Sequence, residues 1–379
     1  MRITFILPFA GLSGGIRIVA CLAEGLRQRG HEVAAVSLPP HRVGVLRNLR
    51  NWARGRGWTH AASQTSHLDG TSVDHRVIER ERPIVDRDVP DGDVVIATFW
   101  ETAEWVARLS PAKGAKAYFV QQYEANFGFP EERVAATWRL PLHKIVCSQW
   151  LADLGRQRFG QSIESVVPNG VDLDQFQGPP RGKQTAPTIG MMYAHHPVKG
   201  CAVSLGAVRE VARQLPAVRL LAFGNQPVIG ALPLPAGASF SLTPSQEAIR
   251  QLYNRCDVWL CASRSEGFHL PPHEAMACRC PVVSTRVGGP MDMIADGVNG
   301  YLVEVDDQAG LADRLRRVLS QSDQDWRRMS QAAHATAGRF TWELAVRKFE
   351  RAVQRAVAEQ APARVSNESP TSEQVLSLA

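Results

Sequence analysis

The chain has 379 residues, of which 44% are hydrophobic and 21% are charged, a composition typical of a globular protein long enough for two domains. No apolar run approaches the ~18 residues of a membrane span, and the N-terminal residues lack the length and cleavage site of a signal peptide. This pattern predicts a cytoplasmic protein. The formal net charge of +6 is compatible with anionic substrates, an anionic membrane surface or nucleic acid.

The first half of the chain has the pattern of a doubly wound α/β domain. An apolar strand at residues 3–7, a turn containing Gly14 and Gly15, a helix from residue 16 and a strand at residues 32–37 form a βαβ unit. The turn lacks the G-x-G-x-x-G fingerprint, which argues against dinucleotide binding there. Further buried strands are predicted at 94–98, 117–120 and 144–148.

Residues 41–58 form a basic segment. It contains five arginines and no acidic residue, while apolar residues recur at roughly helical spacing. Two interpretations are open. The segment is either an amphipathic helix that rests on an anionic membrane surface or a solvated arginine-rich loop.

The second half repeats the α/β pattern after a polar, Gly/Pro-rich stretch near residue 178. Strands are predicted at 188–192, 219–223 and 258–261, with helices at 202–214 and 245–253. The last residues are rich in Ser, Pro and Glu. We therefore predict two domains, a final helix and a disordered tail, at residues 1–177, 178–340, 341–360 and 361–379.

The chemistry is concentrated between residues 263 and 303. A buried strand leads into a glycine-containing turn and then into an Ala/Met-rich helix that begins with two prolines. The free N–H groups and positive dipole of such a helix N-terminus suit a diphosphate. Glu266 and Glu274 lie on either side of this anion site. Because a carboxylate and a phosphate repel each other, these two side chains are better suited to accept hydrogen bonds from sugar hydroxyls than to contact the phosphates.

This stretch resembles the retaining glycosyltransferases of family 4, which have the GT-B fold. The resemblance rests on Glu266 and Glu274 within Ser-Glu-Gly-Phe…His-Glu-Ala-Met-Ala and on Gly288-Gly289. It extends to residues 167–172, to residues 296–303 and to the N-terminal double glycine, and so covers nearly the whole chain. It implies two Rossmann-like domains that face each other across a cleft, with the final helix packed back on the N-terminal domain.

The resemblance also implies roles for individual residues. Glu266 would hold a hydroxyl of the donor sugar, Glu274 the nucleotide ribose, and Lys199 the donor diphosphate; Glu266 and Lys199 are the candidate catalytic residues. The other predicted donor-binding residues are Gly14, Gly15, Arg264, Gly267, Phe268, His269 and Leu270. Candidates for contacts with the sugar or the acceptor are Arg17, Gln122, Tyr123, His195 and His196.

Two features depart from the family pattern. Many members have a histidine after the strand at 117–120, where this chain has Gln121, Gln122 and Tyr123. An arginine usually precedes the lysine by about five residues, whereas residues 191–198 contain no Arg or Lys. A histidine at 195 or 196, or Arg264, is a candidate to supply the missing charge.

The sequence therefore predicts a retaining glycosyltransferase that moves a hexosyl or deoxyhexosyl group from a nucleotide sugar to a glycan or lipid-linked acceptor. Its predicted role is in bacterial surface polysaccharide synthesis at the inner face of the cytoplasmic membrane. The runs at residues 118–124 and 191–197 resemble the rhamnosyltransferase-like branch of the family. We predict no metal, no cofactor and no nucleic-acid partner; the pair Cys278-x-Cys280 lacks the second ligand pair of a zinc site. A GT-B nucleotide-sugar epimerase and a non-catalytic nucleotide-sugar or glycan-binding protein are the alternatives.

Overall fold

The computed structural model describes residues 1–39 and 65–360. The basic segment at 41–58 and the tail at 361–379 lie outside the described residues, so the membrane contact and the disorder predicted for them stay predictions. None of the helices in the described ranges is long and apolar enough to cross a membrane.

Within the described residues, the first half of the chain forms a seven-stranded parallel sheet with the order β3-β2-β1-β4-β5-β6-β7. Its central strands are buried on both faces, as expected for a parallel sheet covered by helices. The strands β1 to β7 are Arg2–Leu7, Glu32–Ser37, Asp74–Val77, Val94–Ala97, Ala115–Val120, His143–Val146 and Ser165–Val166.

The helices of this half are amphipathic, and α1 shows why they begin where they do. Ser13, in an extended conformation, caps the first helix with its side-chain oxygen, which accepts from the N–H of Ile16. Helices α1 to α4 are Gly14–Gln28, Trp100–Arg108, Glu131–Trp138 and Gln149–Phe159. Short 3-10 helices lie at Asp86–Asp88, Pro111–Lys113 and Glu124–Phe127.

Residues 188–303 form a six-stranded parallel sheet with the order β10-β9-β8-β11-β12-β13. Strands β8 to β13 are Thr188–Met192, Arg219–Gly224, Ser239–Leu242, Val258–Cys261, Val282–Thr285 and Gly300–Val303. A 3-10 helix lies at Pro197–Lys199. Helices α5 to α10 are Cys201–Gln214, Gln246–Asn254, Leu270–Ala277, Gly288–Met293, Gln308–Leu319 and Asp323–Ala337.

Both sheets reverse their winding direction at a central point, between β1 and β4 in the first sheet and between β8 and β11 in the second. At such a switch point the loops that follow neighbouring strands diverge and leave a crevice for a ligand. The loop after β1 and the loop after β11 are therefore the places where the topology favours a site.

The last helix, α11 (Trp342–Gln360), packs against the first sheet. The ring of Phe349 is fully buried between Phe5 and Phe119, at centroid distances of 5.9 Å and 5.1 Å. A Cβ on Gly25 of α1 would lie 2.4 Å from Val346, so these two helices touch closely. The chain thus leaves the first sheet after β7, builds the second, and returns to cover the first.

Candidate functional site

Lys199 lies beside the loop that follows β11 because the chain makes a tight turn at Gly200. This glycine has φ +61°, and a Cβ there would lie 1.7 Å from the carbonyl oxygen of Ala262 at the end of β11. The backbone N–H of Arg264 also donates to the carbonyl of Val198, at 2.7 Å. Only glycine allows this approach, which brings a lysine from one loop to a glutamate of the next.

Glu266 is the centre of a buried polar cluster. Its carboxylate accepts from the Lys199 ammonium at 2.8 and 3.0 Å and from the Ser263 hydroxyl at 2.8 Å, and its side chain is only 6% exposed. Burial raises the pKa of Glu266, but the nearby His269 and Lys199 outweigh it and hold the pKa below its usual value. Glu266 is therefore an ionised acceptor at neutral pH.

His269 has a strained backbone and a buried ring. Its φ and ψ are +77° and +87°, a region that residues with a Cβ rarely occupy. Nε2 lies 3.6 Å from Glu266, and Nδ1 has no hydrogen-bond partner among the described residues. Burial lowers the pKa of His269 to about 4, so the ring is neutral at pH 7. The His269 side chain is only 4% exposed, whereas the residue as a whole is half-buried. The solvent-accessible part of His269 is therefore its main chain, at the start of α7.

We expect the strain at His269 to appear as a stability difference between two variants that both remove the imidazole. At a positive φ, glycine is favoured over alanine by about 1 kcal/mol. His269→Gly should therefore unfold at a higher denaturant concentration than His269→Ala, with an unchanged denaturant slope. Equal unfolding midpoints would show that this backbone conformation is not held in solution.

Glu274 lies in α7 and already has a hydrogen-bond partner on each oxygen. Oε1 accepts from Arg17 Nη1 at 2.7 Å, and Oε2 accepts from the hydroxyl of Tyr253 at 3.0 Å. The guanidinium of Arg17 belongs to α1 and lies over the ring of Phe176, 5.7 Å from its centroid. The ion pair is largely buried, with side-chain exposures of 19% for Arg17 and 7% for Glu274. It joins the two domains.

The loop after β5 closes over this site from the first domain. A Cβ on Gly267 would lie 1.6 Å from the carbonyl oxygen of Gln121, so the two backbones are in contact. The side-chain amide of Asn126 donates to the Ser265 hydroxyl at 2.8 Å. Phe127 lies beside the Lys199 ammonium, which is 5.7 Å from the ring centroid. The structure therefore shows the cleft closed around Lys199 and Glu266.

The glycines predicted to line the cleft lie where the two halves meet. A Cβ on Gly15 would be 3.5 Å from the side-chain oxygen of Gln121, whereas one on Gly14 would meet nothing within 4 Å. The Cα of Gln122 lies 3.1 Å from the position of a Cβ on Gly267. Phe268 is buried, and its carbonyl accepts from the N–H of Gly289 at 3.0 Å; Leu270 begins α7.

Tyr123 corrects one prediction. Its side chain is 2% exposed and packs against Trp138 and Phe159, with the guanidinium of Arg158 5.1 Å from its ring centroid. An aromatic ring enclosed in this way is a core residue and is not accessible to a sugar. Tyr123 lies beyond the end of β5, at the start of the 3-10 helix Glu124–Phe127, and its ring turns into the core of the first domain.

Three candidates for the missing charge have other partners. Arg264 pairs with Asp306 at 2.8 Å and is 44% exposed. His195 Nε2 lies 2.8 Å from the carbonyl of Pro227. His196 accepts from the N–H of Val198 at 3.3 Å, and its ring contacts Phe127. A role for these residues in donor binding stays a prediction.

Four contact residues were not singled out from the sequence: Ser263, Tyr253, Asn126 and Phe127. Ser263 precedes Glu266 by three residues, a spacing that could have suggested their hydrogen bond. Asn126 and Phe127 approach from the first domain, Tyr253 lies 21 residues before Glu274, and no short sequence pattern marks any of the three.

A buried acid lies within the loop after β5, at the start of its 3-10 helix. Glu124 is 1% exposed, accepts from the Tyr118 hydroxyl at 3.3 Å, and has an Oε2 with no hydrogen-bond partner among the described residues. Burial raises its pKa to about 8, so this carboxyl is mostly protonated at pH 7. It therefore adds little negative charge beside the cleft.

A cavity of 580 Å³ is lined by Arg17 and other residues of α1. It runs between α1 and the start of α11, and its lining also includes Gln175 and, from the second domain, Gln246. In residues 1–39 and 65–360, no cluster of His, Cys, Asp or Glu side chains has the arrangement of a metal site.

Residues 184–321 match the protein family described as glycosyl transferases group 1. This segment contains Lys199, Glu266 and Glu274, and the sheet from β8 to β13. Residues 184–321 form a glycosyltransferase group 1 domain.

Two of the proteins that are similar in sequence to this chain are a glycosyltransferase and a mannosyltransferase by name. A D-inositol 3-phosphate glycosyltransferase of Segniliparus rotundus is 32% identical over 200 residues, which are 47% of this chain and 44% of that protein. A GDP-mannose:cellobiosyl-diphosphopolyprenol alpha-mannosyltransferase of Xanthomonas oryzae is 24% identical over 54% of this chain and 56% of that protein. The chain thus spans about half the length of the curated relatives it matches.

The fold around the glycosyltransferase domain is also known from solved structures. The Anabaena protein HepE (Alr3699), in complex with UDP and glucose, superimposes with a TM-score of 0.69 at 18% identity, covering 94% of this chain and all of that one. This likeness confirms the prediction of a GT-B fold with two Rossmann-like domains. Assignment to the rhamnosyltransferase-like branch stays a prediction.

Proposed function

We propose that this protein is a retaining glycosyltransferase that moves a hexosyl or deoxyhexosyl group from a nucleoside diphosphate sugar to a glycan or lipid-linked saccharide. The observation that carries the proposal is the position of Lys199, Glu266 and Glu274 around the start of α7, inside a glycosyltransferase domain. Lys199 binds Glu266, and Arg17 of the first domain binds Glu274 across the closed cleft. Separately, a lysine and two glutamates would be common surface residues. With both glutamates buried and the half-buried lysine bound to one of them near a helix N-terminus, they match the chemistry of a nucleotide sugar.

The reaction breaks the bond between the anomeric carbon and a phosphate oxygen, and negative charge grows on the diphosphate that leaves. Lys199 and the main-chain N–H groups of Gly267 and Phe268, just before α7, are suited to stabilise that charge. The ionised Glu266 accepts a hydrogen bond from a sugar hydroxyl and fixes the position of the ring. Glu274 accepts from the ribose. We assign no catalytic base, and the proposal requires no metal.

The nucleotide base, the sugar and the acceptor are the open part of the proposal. HepE is described with UDP and glucose, and the two relatives are named for an inositol phosphate acceptor and for a GDP-mannose donor with a diphosphopolyprenol acceptor. These names support a nucleotide-sugar donor and make a lipid-linked acceptor a reasonable one to assay. Surface polysaccharide synthesis at the inner face of the membrane, with contact through residues 41–58, is the setting that we propose.

The donor class can be identified with a thermal-shift panel of UDP, GDP, ADP and dTDP, each alone and as its common sugar conjugates. A ligand at a hundred times its dissociation constant stabilises the folded state by about 2.7 kcal/mol. We expect one nucleotide to raise the melting temperature of the wild type and Glu274→Ala to lose that increase. The increase is compared with each variant's own unliganded melting temperature, because Glu274→Ala also loses the bonds to Arg17 and Tyr253.

Glu247→Ala is the matched control, because Glu247 lies in the same domain but makes an exposed pair with Arg250. Its nucleotide response should equal that of the wild type. A wild type that responds to no nucleotide or conjugate would refute the donor-site assignment.

Turnover separates the proposed transferase from its alternatives. With donor and acceptor together, a transferase releases free nucleotide and extends the acceptor. An epimerase converts the donor into an isomeric nucleotide sugar without acceptor, and a binding protein produces neither.

A further inference from the structure

Glu266 and Glu274 are each bound by a cationic side chain, one from the second domain and one from the first. Lys199, within the second domain, binds both oxygens of Glu266, and Arg17, from the first domain, binds Glu274 across the cleft. Both glutamates are the groups that a sugar and a ribose would use, and both cations are groups that a diphosphate would attract. A bound donor therefore competes for all four side chains.

The second domain offers a diphosphate little positive charge of its own. The loop before Lys199 has no Arg or Lys between residues 191 and 198. Arg264 pairs with Asp306 on an exposed loop, and His195 is bonded to a carbonyl. A diphosphate at the start of α7 would thus meet one ammonium and the helix dipole, which leaves much of its charge unbalanced.

Arg17 lies close enough to supply the missing charge. Glu274 follows Leu270, the first residue of α7, by four positions, which is about 6 Å along the helix axis. The Arg17 guanidinium therefore lies roughly one helical turn from the N-terminal end of α7, where Leu270 has a main-chain N–H and the two prolines that follow it have none. Its planar fork suits bidentate binding of a phosphate, and the preceding Gly14 and Gly15 leave the space at the start of α1 without side chains.

We propose that Arg17 is a diphosphate-binding residue that exchanges partners when the donor binds. The ribose hydroxyls take the place of Arg17 on Glu274, and the released guanidinium binds the phosphates from the side of the first domain. Tyr253 keeps Glu274 in position during the exchange, because it holds the other oxygen. The positive charge that the second domain lacks is then contributed by the first. This inference rests on the proposed function.

A simpler role for Arg17 predicts the opposite result. If the guanidinium only blocks Glu274, its removal frees the carboxylate and every nucleoside should bind more tightly. If it binds the diphosphate, its removal weakens ligands that carry phosphates and leaves the corresponding nucleosides unaffected or slightly stronger. Comparing the two ligand types therefore separates the two roles.

The experiment titrates wild type and Arg17→Gln with UDP, GDP, ADP and dTDP and with uridine, guanosine, adenosine and thymidine. Loss of one charge-assisted contact should weaken the bound diphosphate by about tenfold or more in Arg17→Gln, without a matching loss for its nucleoside. Arg29→Gln is the control, since Arg29 is at the far end of α1 and pairs with Glu350 on the surface. It should bind like the wild type.

Diphosphate binding that is unchanged or tighter in Arg17→Gln would overturn the inference and leave the proposed function standing. A wild type that binds none of the four diphosphates would overturn both. If Arg17→Gln does not fold, Arg17→Lys replaces it, because lysine keeps the charge and loses the fork. A selective loss of diphosphate affinity of about threefold or more in Arg17→Lys supports the inference, and no loss overturns it.

Discussion

Glu266→Gln is expected to slow sugar transfer about a hundredfold while nucleoside diphosphate binding changes little. The glutamine keeps the shape of the side chain but is a weaker acceptor than the ionised carboxylate that Lys199 and Ser263 now contact. A hydrogen bond to a charged group contributes about 1.5–3 kcal/mol, and 3 kcal/mol corresponds to about two powers of ten in rate. Glu266→Gln weakens the contact with the sugar and leaves the affinity for the nucleoside diphosphate nearly unchanged, because Lys199 remains available to the phosphates.

The measurement is the steady-state rate of nucleotide release with acceptor, together with the dissociation constant of the nucleoside diphosphate. Glu247→Gln is the isosteric control on an exposed helix of the same domain and should have the wild-type rate. If Glu266→Gln lowers nucleotide affinity as strongly as it lowers the rate, Glu266 acts on the nucleotide rather than on the sugar.

Gly267→Ala should also lower the transfer rate a hundredfold or more, because it prevents the two domains from closing. The added methyl carbon would lie 1.6 Å from the carbonyl oxygen of Gln121, and real contacts of this kind are never shorter than 3.0 Å. The loops must separate by more than an ångström, and a misplacement of that size can reduce a rate by about a hundredfold. The second domain itself should fold normally.

Small-angle X-ray scattering and the transfer assay test this prediction together. Gly267→Ala should have a larger radius of gyration in the presence of donor than the wild type. Gly230→Ala is the control, since a Cβ there meets nothing within 4 Å. A Gly267→Ala variant with wild-type scattering and rate would mean that catalysis does not require the closed arrangement.

Much of the fold followed from the sequence because most of its elements have a strong local pattern. The strands predicted at 94–98 and 258–261 appear as Val94–Ala97 and Val258–Cys261, since parallel strands buried on both faces are continuous apolar runs. The edge strands β10 and β13 were not predicted. β10 (Ser-Phe-Ser-Leu) is mostly exposed and alternates polar with apolar residues, and β13 begins with a glycine and is only partly buried, so neither is a continuous apolar run.

Only the part of the site that lies in one continuous stretch of sequence could be predicted with its spatial arrangement. Glu266, Glu274 and the start of α7 come from one continuous stretch whose order along the chain gives their order in space. Arg17, a predicted contact residue, reaches Glu274 from 257 residues away, and Phe127 reaches Lys199 from 72 residues away. Their positions depend on how the domains meet, which no local pattern records. Tyr123 shows the converse error, for a residue next to the cleft in sequence can point into the core.

The return of α11 to the first sheet has a consequence for synthesis on the ribosome. Phe5 is among the first residues made, but Phe349, which packs on it, emerges after the whole second domain. Domains generally fold as units while the chain grows. The first sheet therefore lacks its α11 cover while the second domain is synthesised and folds. The strands of that second domain lie within residues 188–303. During that interval the exposed face is where nascent chains would aggregate or engage a chaperone.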